Sequence, residues 1–116
     1  MKLQIFGTKK CQTTRKAERY FRDRDIDYQF IDLELKGISP GELKTVIKAV
    51  GKDRIIDTAS KGYIDRGLKY MDFDIEREIL SDPLLLRTPI VRDGNDASAG
   101  EALASWAEFA AMAKGT

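Results

Sequence analysis

The 116-residue chain contains no histidine, one cysteine (Cys11), three prolines and one tryptophan. Without histidine, Ser-His-Asp and Cys-His catalysis are excluded, because each needs an imidazole to take the proton from its nucleophile. A lone cysteine cannot close an internal disulfide and, with no imidazole beside it, cannot assemble a zinc site. No apolar run approaches the ~20 residues needed to cross a bilayer, and the first residues lack the apolar stretch of a secretory signal. A place in the reducing cytoplasm is therefore expected. Charge of one sign is missing as well: 20 basic residues oppose 19 acidic ones, a net charge of +1, which leaves no global footprint for nucleic acid or an anionic membrane. What remains for chemistry is carboxylate, arginine or the single thiol.

The length fits one domain, residues 1–116, with no repeat, low-complexity tract or interdomain linker. Lys2 to Gly7 alternates Leu3 and Ile5 with polar neighbours and reads as a strand. Gln12 to about Arg24 places Ala17, Tyr20 and Phe21 on one helical face, with Glu18 positioned to pair with Arg22, and Tyr28 to about Leu33 reads as a second strand. Strand, helix and strand within some thirty residues form a βαβ unit with parallel strands. Ser39-Pro40-Gly41-Glu42 is a capping box opening a helix that ends at Gly51. Ile55 and Ile56 are expected in the core, Tyr63 to Met71 as a helix broken by Gly67, and a helix capped by Asp74 with Ile75, Ile79 and Leu80 inward. Thr88 to Arg92, a turn at Asp93-Gly94-Asn95, and Asp96 to Gly100 read as an antiparallel hairpin. A last helix turns Leu103, Trp106, Ala107 and Ala110 inward and frays at Lys114-Gly115. The result is an α/β domain with a mixed sheet of about four strands, and residues 39–86 form a helical insertion.

Chemistry concentrates in Thr8-Lys9-Lys10-Cys11-Gln12-Thr13-Thr14-Arg15. A helix start gathers unpaired backbone N–H groups and the positive end of the macrodipole, so a thiol there is biased toward thiolate, the nucleophilic form. Lys9, Lys10 and Arg15 push the same way, and Arg15, one turn on, can reach the sulfur or a bound anion. Thr13 or Thr14 can donate a hydroxyl hydrogen bond to the thiolate. Cys11 lies outside the apolar stripe, between Lys10 and Gln12, which favours a reactive thiol over a packed one. A Cys-x5-Arg phosphatase loop would need arginine at Ala17, and a dithiol oxidoreductase would need cysteine at Thr14. Any disulfide formed at Cys11 must then be released by an outside thiol such as glutathione, a glutaredoxin or thioredoxin. Asp72, Asp74, Glu76 and Glu78 read as dipole complement and solvated surface, with no metal site.

Three blocks in order resemble the ArsC and Spx family of the thioredoxin fold. They are Phe6-Gly7-Thr8-Lys9-Lys10-Cys11 with Thr13, Arg15, Lys16 and Ala17; Gly51, Asp53, Ile55, Ile56, Thr58, Ser60 and Lys61; and Pro83 to Leu86 with Pro89, Ile90 and Val91. The resemblance implies a thioredoxin-like sheet with the helical insertion between its βαβ and ββα halves. It also implies a cis Thr88–Pro89 bond facing the cysteine, whose backbone offers hydrogen bonds to an extended thiol peptide. By the same resemblance Cys11 is the nucleophile assisted by Arg15, with Lys10, Thr13, Thr14, Arg87, Thr88 and Pro89 contacting substrate. No bound cofactor is implied; glutathione or another external thiol serves as co-substrate. Arsenate reductases of this family bind the oxyanion with three arginines, at positions where this chain has none from Ile55 to Asp65, Thr88 before Pro89, and none from Asp93 to Trp106. Efficient arsenate reduction is therefore not expected. The alternative implied by the resemblance is an Spx-like adaptor, in which Gly51 matches a glycine of the surface that contacts an RNA polymerase subunit. Spx regulators carry a second cysteine where Thr14 stands, and Gly51 reads equally as a helix C-cap.

Overall fold

The structure is a computed structural model and describes residues 3–114. Strand β1 (Leu3–Gly7) sends Leu3 and Ile5 to one side of the sheet and Phe6 to the other, as the two-residue strand period requires. Helix α1 (Gln12–Arg22) covers the first side with Ala17 and Phe21, which lie four residues apart and are both fully buried. Strand β2 (Tyr28–Asp32) then runs parallel to β1, with Leu3 opposite Tyr28 and Gly7 opposite Asp32.

The insertion covers the other side. Helix α2 (Pro40–Val50) begins in the expected capping box and buries Leu43 and Val46. Next come α3 (Lys52–Ile55), α4 (Lys61–Asp65), a 3₁₀ turn at Leu68–Tyr70, α5 (Ile75–Ser81) and a second 3₁₀ turn at Pro83–Leu85. An isolated antiparallel bridge between Ile56 and Leu86 ties the two ends of this excursion together. Strands β3 (Ile90–Asp93) and β4 (Asp96–Ala99) form the hairpin, β3 pairs antiparallel with β1, and the order across the sheet is β2-β1-β3-β4. Helix α6 (Leu103–Lys114) closes over the α1 side, where Trp106 is fully buried with its ring 5.7 Å from Tyr20 and 6.5 Å from Phe21. The mixed four-stranded sheet with an insertion between its halves is the expected architecture.

Several local expectations need correction. Glu18 does not pair with Arg22; it accepts a 2.9 Å hydrogen bond from the Tyr28 hydroxyl, which reaches back from β2. Leu80 and Leu103 are exposed, because α5 and α6 each present a narrower seam than their apolar residues allow. The inward side of α6 is Trp106, Phe109 and Ala110, with Ala107 outside. The helix expected over Tyr63–Met71 starts earlier, at Lys61, where the Ser60 side chain accepts from the Tyr63 N–H, and it stops before Gly67 at φ 64°. Helix α3 was not expected, since four residues are too few to show a period. Gly51 does cap α2, as expected, at φ 107° and ψ 144°, outside the left-handed helical region that cap glycines commonly adopt. The expected fraying at Gly115 lies outside the described residues.

Candidate functional site

Cys11 occupies the N-cap position of α1 in extended backbone, held there by its own N–H donating to the Thr8 carbonyl at 3.2 Å. Its side chain is half-buried. A cap residue ordinarily uses a side-chain oxygen to satisfy first-turn N–H groups, and here no side-chain cap bond forms and no carboxylate stands in the first turn. The donors left over converge on sulfur.

Two elements supply them. From the loop before β3, the Thr88 hydroxyl donates to Cys11 Sγ at 3.2 Å, and the thiol faces the Thr88 carbonyl at 4.0 Å. The Thr88–Pro89 bond is cis, as expected. Among the described residues the Thr88 N–H meets no backbone acceptor, so it remains available. From α1 itself come Thr13 and Thr14. Thr14 is fully buried, and its hydroxyl makes no hydrogen bond among the described residues, which leaves it free for a Cys11 thiolate. It fits because position 7 is glycine: a Cβ there would collide with the Thr14 side chain.

Burial pushes the Cys11 thiol up, but hydrogen bonds from the Thr14 and Thr88 side chains and from the Thr14 and Thr13 backbone outweigh it and hold the pKa below its ordinary 9.0. The hydroxyl expected from Thr13 or Thr14 comes from Thr14 and is joined by Thr88, while none of the lysines and arginine expected to help figures among the causes. Lys10 is exposed in the preceding turn. Arg15 lines a hollow of about 450 Å³ with Gln12, Thr13, Lys16, Arg19 and Glu101, where Lys16 and Glu101 are 3.1 Å apart. That basic hollow adjoins the sulfur through Thr13.

Arg87 goes elsewhere. Its side chain lies against Gly100, where a Cβ would meet Arg87 Cδ at 2.9 Å, and it lines a different hollow at the edge of β4. Gly51 stands at the α2–α3 junction with open space around it. The Thr88 hydroxyl was missed by the sequence reading, which gave that residue only backbone roles. The space that Gly7 leaves for Thr14 was also missed, because it depends on how α1 crosses the end of β1.

Comparison with known proteins places this geometry. A global transcriptional regulator, Spx 2, from Bacillus anthracis is 28% identical over 94 residues, covering 77% of this chain and 72% of its own. The Staphylococcus aureus global transcriptional regulator Spx is 29% identical over 106 residues, 83% of this chain and 77% of its own. Among solved structures, an ArsC-family-related protein from Bacteroides fragilis superposes with a TM-score of 0.84 at 19% identity, over 94% of this chain and 98% of that one. An arsenate reductase from Vibrio cholerae gives 0.79 at 20% identity, over 93% and 97%. These two likenesses speak for the thioredoxin-like fold. The ArsC family model matches residues 6–109, nearly the whole chain, and by that match the protein belongs to the ArsC family.

Proposed function

We propose that the protein is a thiol oxidoreductase in which Cys11 is the nucleophile and an external thiol is the reductant. The observation that carries this reading is a half-buried sulfur at a helix start that spends its donors on that sulfur, from Thr14, Thr13 and Thr88, instead of on a cap. The Cys11 thiolate attacks one sulfur of an oxidised substrate disulfide; a new S–S bond forms and the other sulfur leaves as thiolate. An external thiolate, from glutathione, a glutaredoxin or thioredoxin, then attacks Cys11 Sγ in the mixed disulfide, the second substrate sulfur leaves as thiolate, and another external thiolate attacks the external sulfur now joined to Cys11, forming an external disulfide. Cys11 leaves as thiolate, and two electrons have passed from external thiols to substrate. Thr14 stands where a resolving cysteine would, so the second step comes from outside. The Thr88 N–H beside Pro89 offers an extended thiol peptide a backbone hydrogen bond, and Arg15 with Lys16 and Arg19 offers charge to its carboxylates. Lys10 lies near enough in sequence to serve the same approach.

Alkylation of Cys11 followed against pH tests this. The expected apparent pKa lies below the free-thiol value of about 8.5, and oxidised glutathione should leave a single adduct on Cys11. A free-thiol pKa, or no adduct at neutral pH, defeats the reading. Arsenate turnover with glutathione and glutaredoxin should be slight, because the family's oxyanion arginines are absent from their positions.

A second reading rests on a separate observation, the regulators at 28% and 29% identity. In it the protein is an adaptor that binds a protein partner, an RNA polymerase subunit, through the surface around Gly51. Binding to purified polymerase α C-terminal domain, lost in Gly51→Arg, would support it, and no binding by the unmodified protein removes it. Both readings place the protein in the cytoplasm; among the described residues no helix is long and apolar enough to cross a membrane.

A further inference from the structure

Away from Cys11, three segments distant in sequence meet at the free edge of β4. The Ile56–Leu86 bridge is extended by the Arg87 N–H donating to the Ile55 carbonyl at 2.7 Å, which sets Arg54 and Arg87 side by side. The Gly100 N–H donates to the carbonyls of Arg87 at 3.2 Å and Pro89 at 3.0 Å, which ties the start of α6 to the same place. Between them lies a hollow of about 190 Å³, walled by both arginines, Ser98, Ala102 and Ser105 together with the end of α2.

The polar side chains around this hollow are arginine and serine, each able to donate. No carboxylate lines it, and neither arginine is in an ion pair among the described residues. The Trp106 N–H donates to the Ala102 carbonyl at 2.9 Å, so Ala102 is the residue that caps α6, and alanine has no oxygen to offer the first turn. The first turn carries no acidic residue, and the N–H groups of Leu103, Ala104 and Ser105 have no acceptor among the described residues. The independent sign of a ligand is Ser98. Ala97 and Ala99 pack against the insertion-side core, so alternation turns Ser98 toward α6, into the wall of the hollow. The residue is only 5% exposed, and its hydroxyl has no hydrogen-bond partner among the described residues.

We propose that this hollow is a second binding site, for a tetrahedral oxyanion of the phosphate class, held by Arg54, Arg87, Ser98, Ser105 and the first turn of α6. Two guanidinium forks, two hydroxyls and free helix N–H groups match such an anion in charge and in donor geometry. The volume limits the ligand to one such group with little attached, since a drug-sized molecule fills roughly 300–1,000 Å³. The site stands whether or not Cys11 is catalytic.

Titration of the ¹⁵N-labelled protein with inorganic phosphate at constant ionic strength tests it. Saturable shifts are expected at the amides of Gly100, Leu103, Ala104 and Ser105, undiminished in Cys11→Ser, which separates this site from any anion held at the sulfur. Arg54→Gln should weaken binding about tenfold, the loss of one charged hydrogen-bonding partner. Arg54→Gln with Ser105→Ala should weaken it further, and Arg54→Lys should retain part of it; none of these touches the stem of Arg87 that packs on Gly100. A parallel titration with glycerol phosphate distinguishes a free ion, which alone binds, from a phosphate ester, for which both bind. Absence of saturable shifts, shifts spread equally over Lys16 and Arg19, or an unchanged midpoint in Arg54→Gln overturns the proposal.

Discussion

Two helices of this protein start in opposite ways. At α2, Ser39 accepts the Glu42 N–H at 3.2 Å, the Glu42 carboxylate accepts the Ser39 N–H at 3.0 Å, and Pro40 has no N–H to satisfy. Orphan donors are paired and the macrodipole meets a negative charge. At α1 the cap is Cys11, no side chain closes the box, and no carboxylate enters the first turn. The same kind of backbone donor that stabilises one helix is left at the other to lower a thiol pKa. A helix start is thus either a structural joint or a reactive centre according to the atom placed on it, and the reactive one forgoes roughly 1 kcal/mol of capping.

The sharpest way to break this contrast is to turn α1 into a second α2. Cys11→Ser puts an oxygen at the cap. We expect thiol–disulfide exchange to fall to the uncatalysed background, while urea unfolding shows a gain of about 0.5–1 kcal/mol from the new cap. A loss of about 2 kcal/mol instead would mean that Cys11 is a packing residue and the open cap is incidental.

A smaller effect sharpens it. Thr88→Val and Thr14→Val keep the shape and remove a hydroxyl donor each, so in either variant the Cys11 pKa should rise. The rate of iodoacetamide alkylation at pH 6.5 should then drop about fivefold per hydroxyl, the kinetic equivalent of one hydrogen bond of about 1 kcal/mol. Thr14→Val should cost little stability, because the hydroxyl it removes has no hydrogen-bond partner among the described residues. If only Lys10 or Arg15 substitutions changed that rate, the charges and not the threonines would set the pKa.

The contrast also explains what the sequence could and could not disclose. The α2 start was legible because a capping box is local: Ser39, Pro40 and Glu42 carry the whole motif within four residues. The order of strands and the helical insertion were legible from period and turn chemistry, helped by the family resemblance. At α1 the sequence placed Cys11 correctly, but the partners of its sulfur come from 77 positions away at Thr88 and from a void at Gly7 that only the crossing of α1 over β1 reveals. Charge near the cysteine in sequence did not become charge on the sulfur: Arg15 faces a hollow with Lys16 and Arg19, and Arg87 turns to Gly100. The narrow seams of α5 and α6 were missed for the complementary reason, since Leu80 and Leu103 have the right residue type but no neighbouring element above them.

Ser39→Ala makes the converse test, a local loss at α2 that should leave the thiol untouched. The expected cost is about 1 kcal/mol, or roughly 4 °C in Tm, with an unchanged Cys11 alkylation profile. A changed alkylation rate would mean that the two helix starts are coupled.

The smallest effects are in pH, and the two starts should appear on opposite limbs of the stability profile. Burial raises the Glu42 pKa, but hydrogen bonds from the Ser39 backbone and side chain and from Gln4, with the charge of Arg92, bring it below its ordinary 4.5. A depressed carboxyl pKa means that the unfolded chain binds the proton first. The stabilisation is therefore complete above 4.5 and is lost as pH falls through the folded value. Ser39→Ala removes one of those hydrogen bonds, so the difference between wild type and variant should shrink as pH falls below 4.5. Cys11 obeys the same sign at the other end: its depressed pKa gives a stabilisation that is full above 9.0 and vanishes below the folded value. Wild type should gain stability relative to Cys11→Ser as pH rises toward 9.0, when urea midpoints are compared at matched ionic strength. A difference that stays flat across that range would place the thiol at its unfolded pKa. The open start of α1 would then be a missing cap and nothing more.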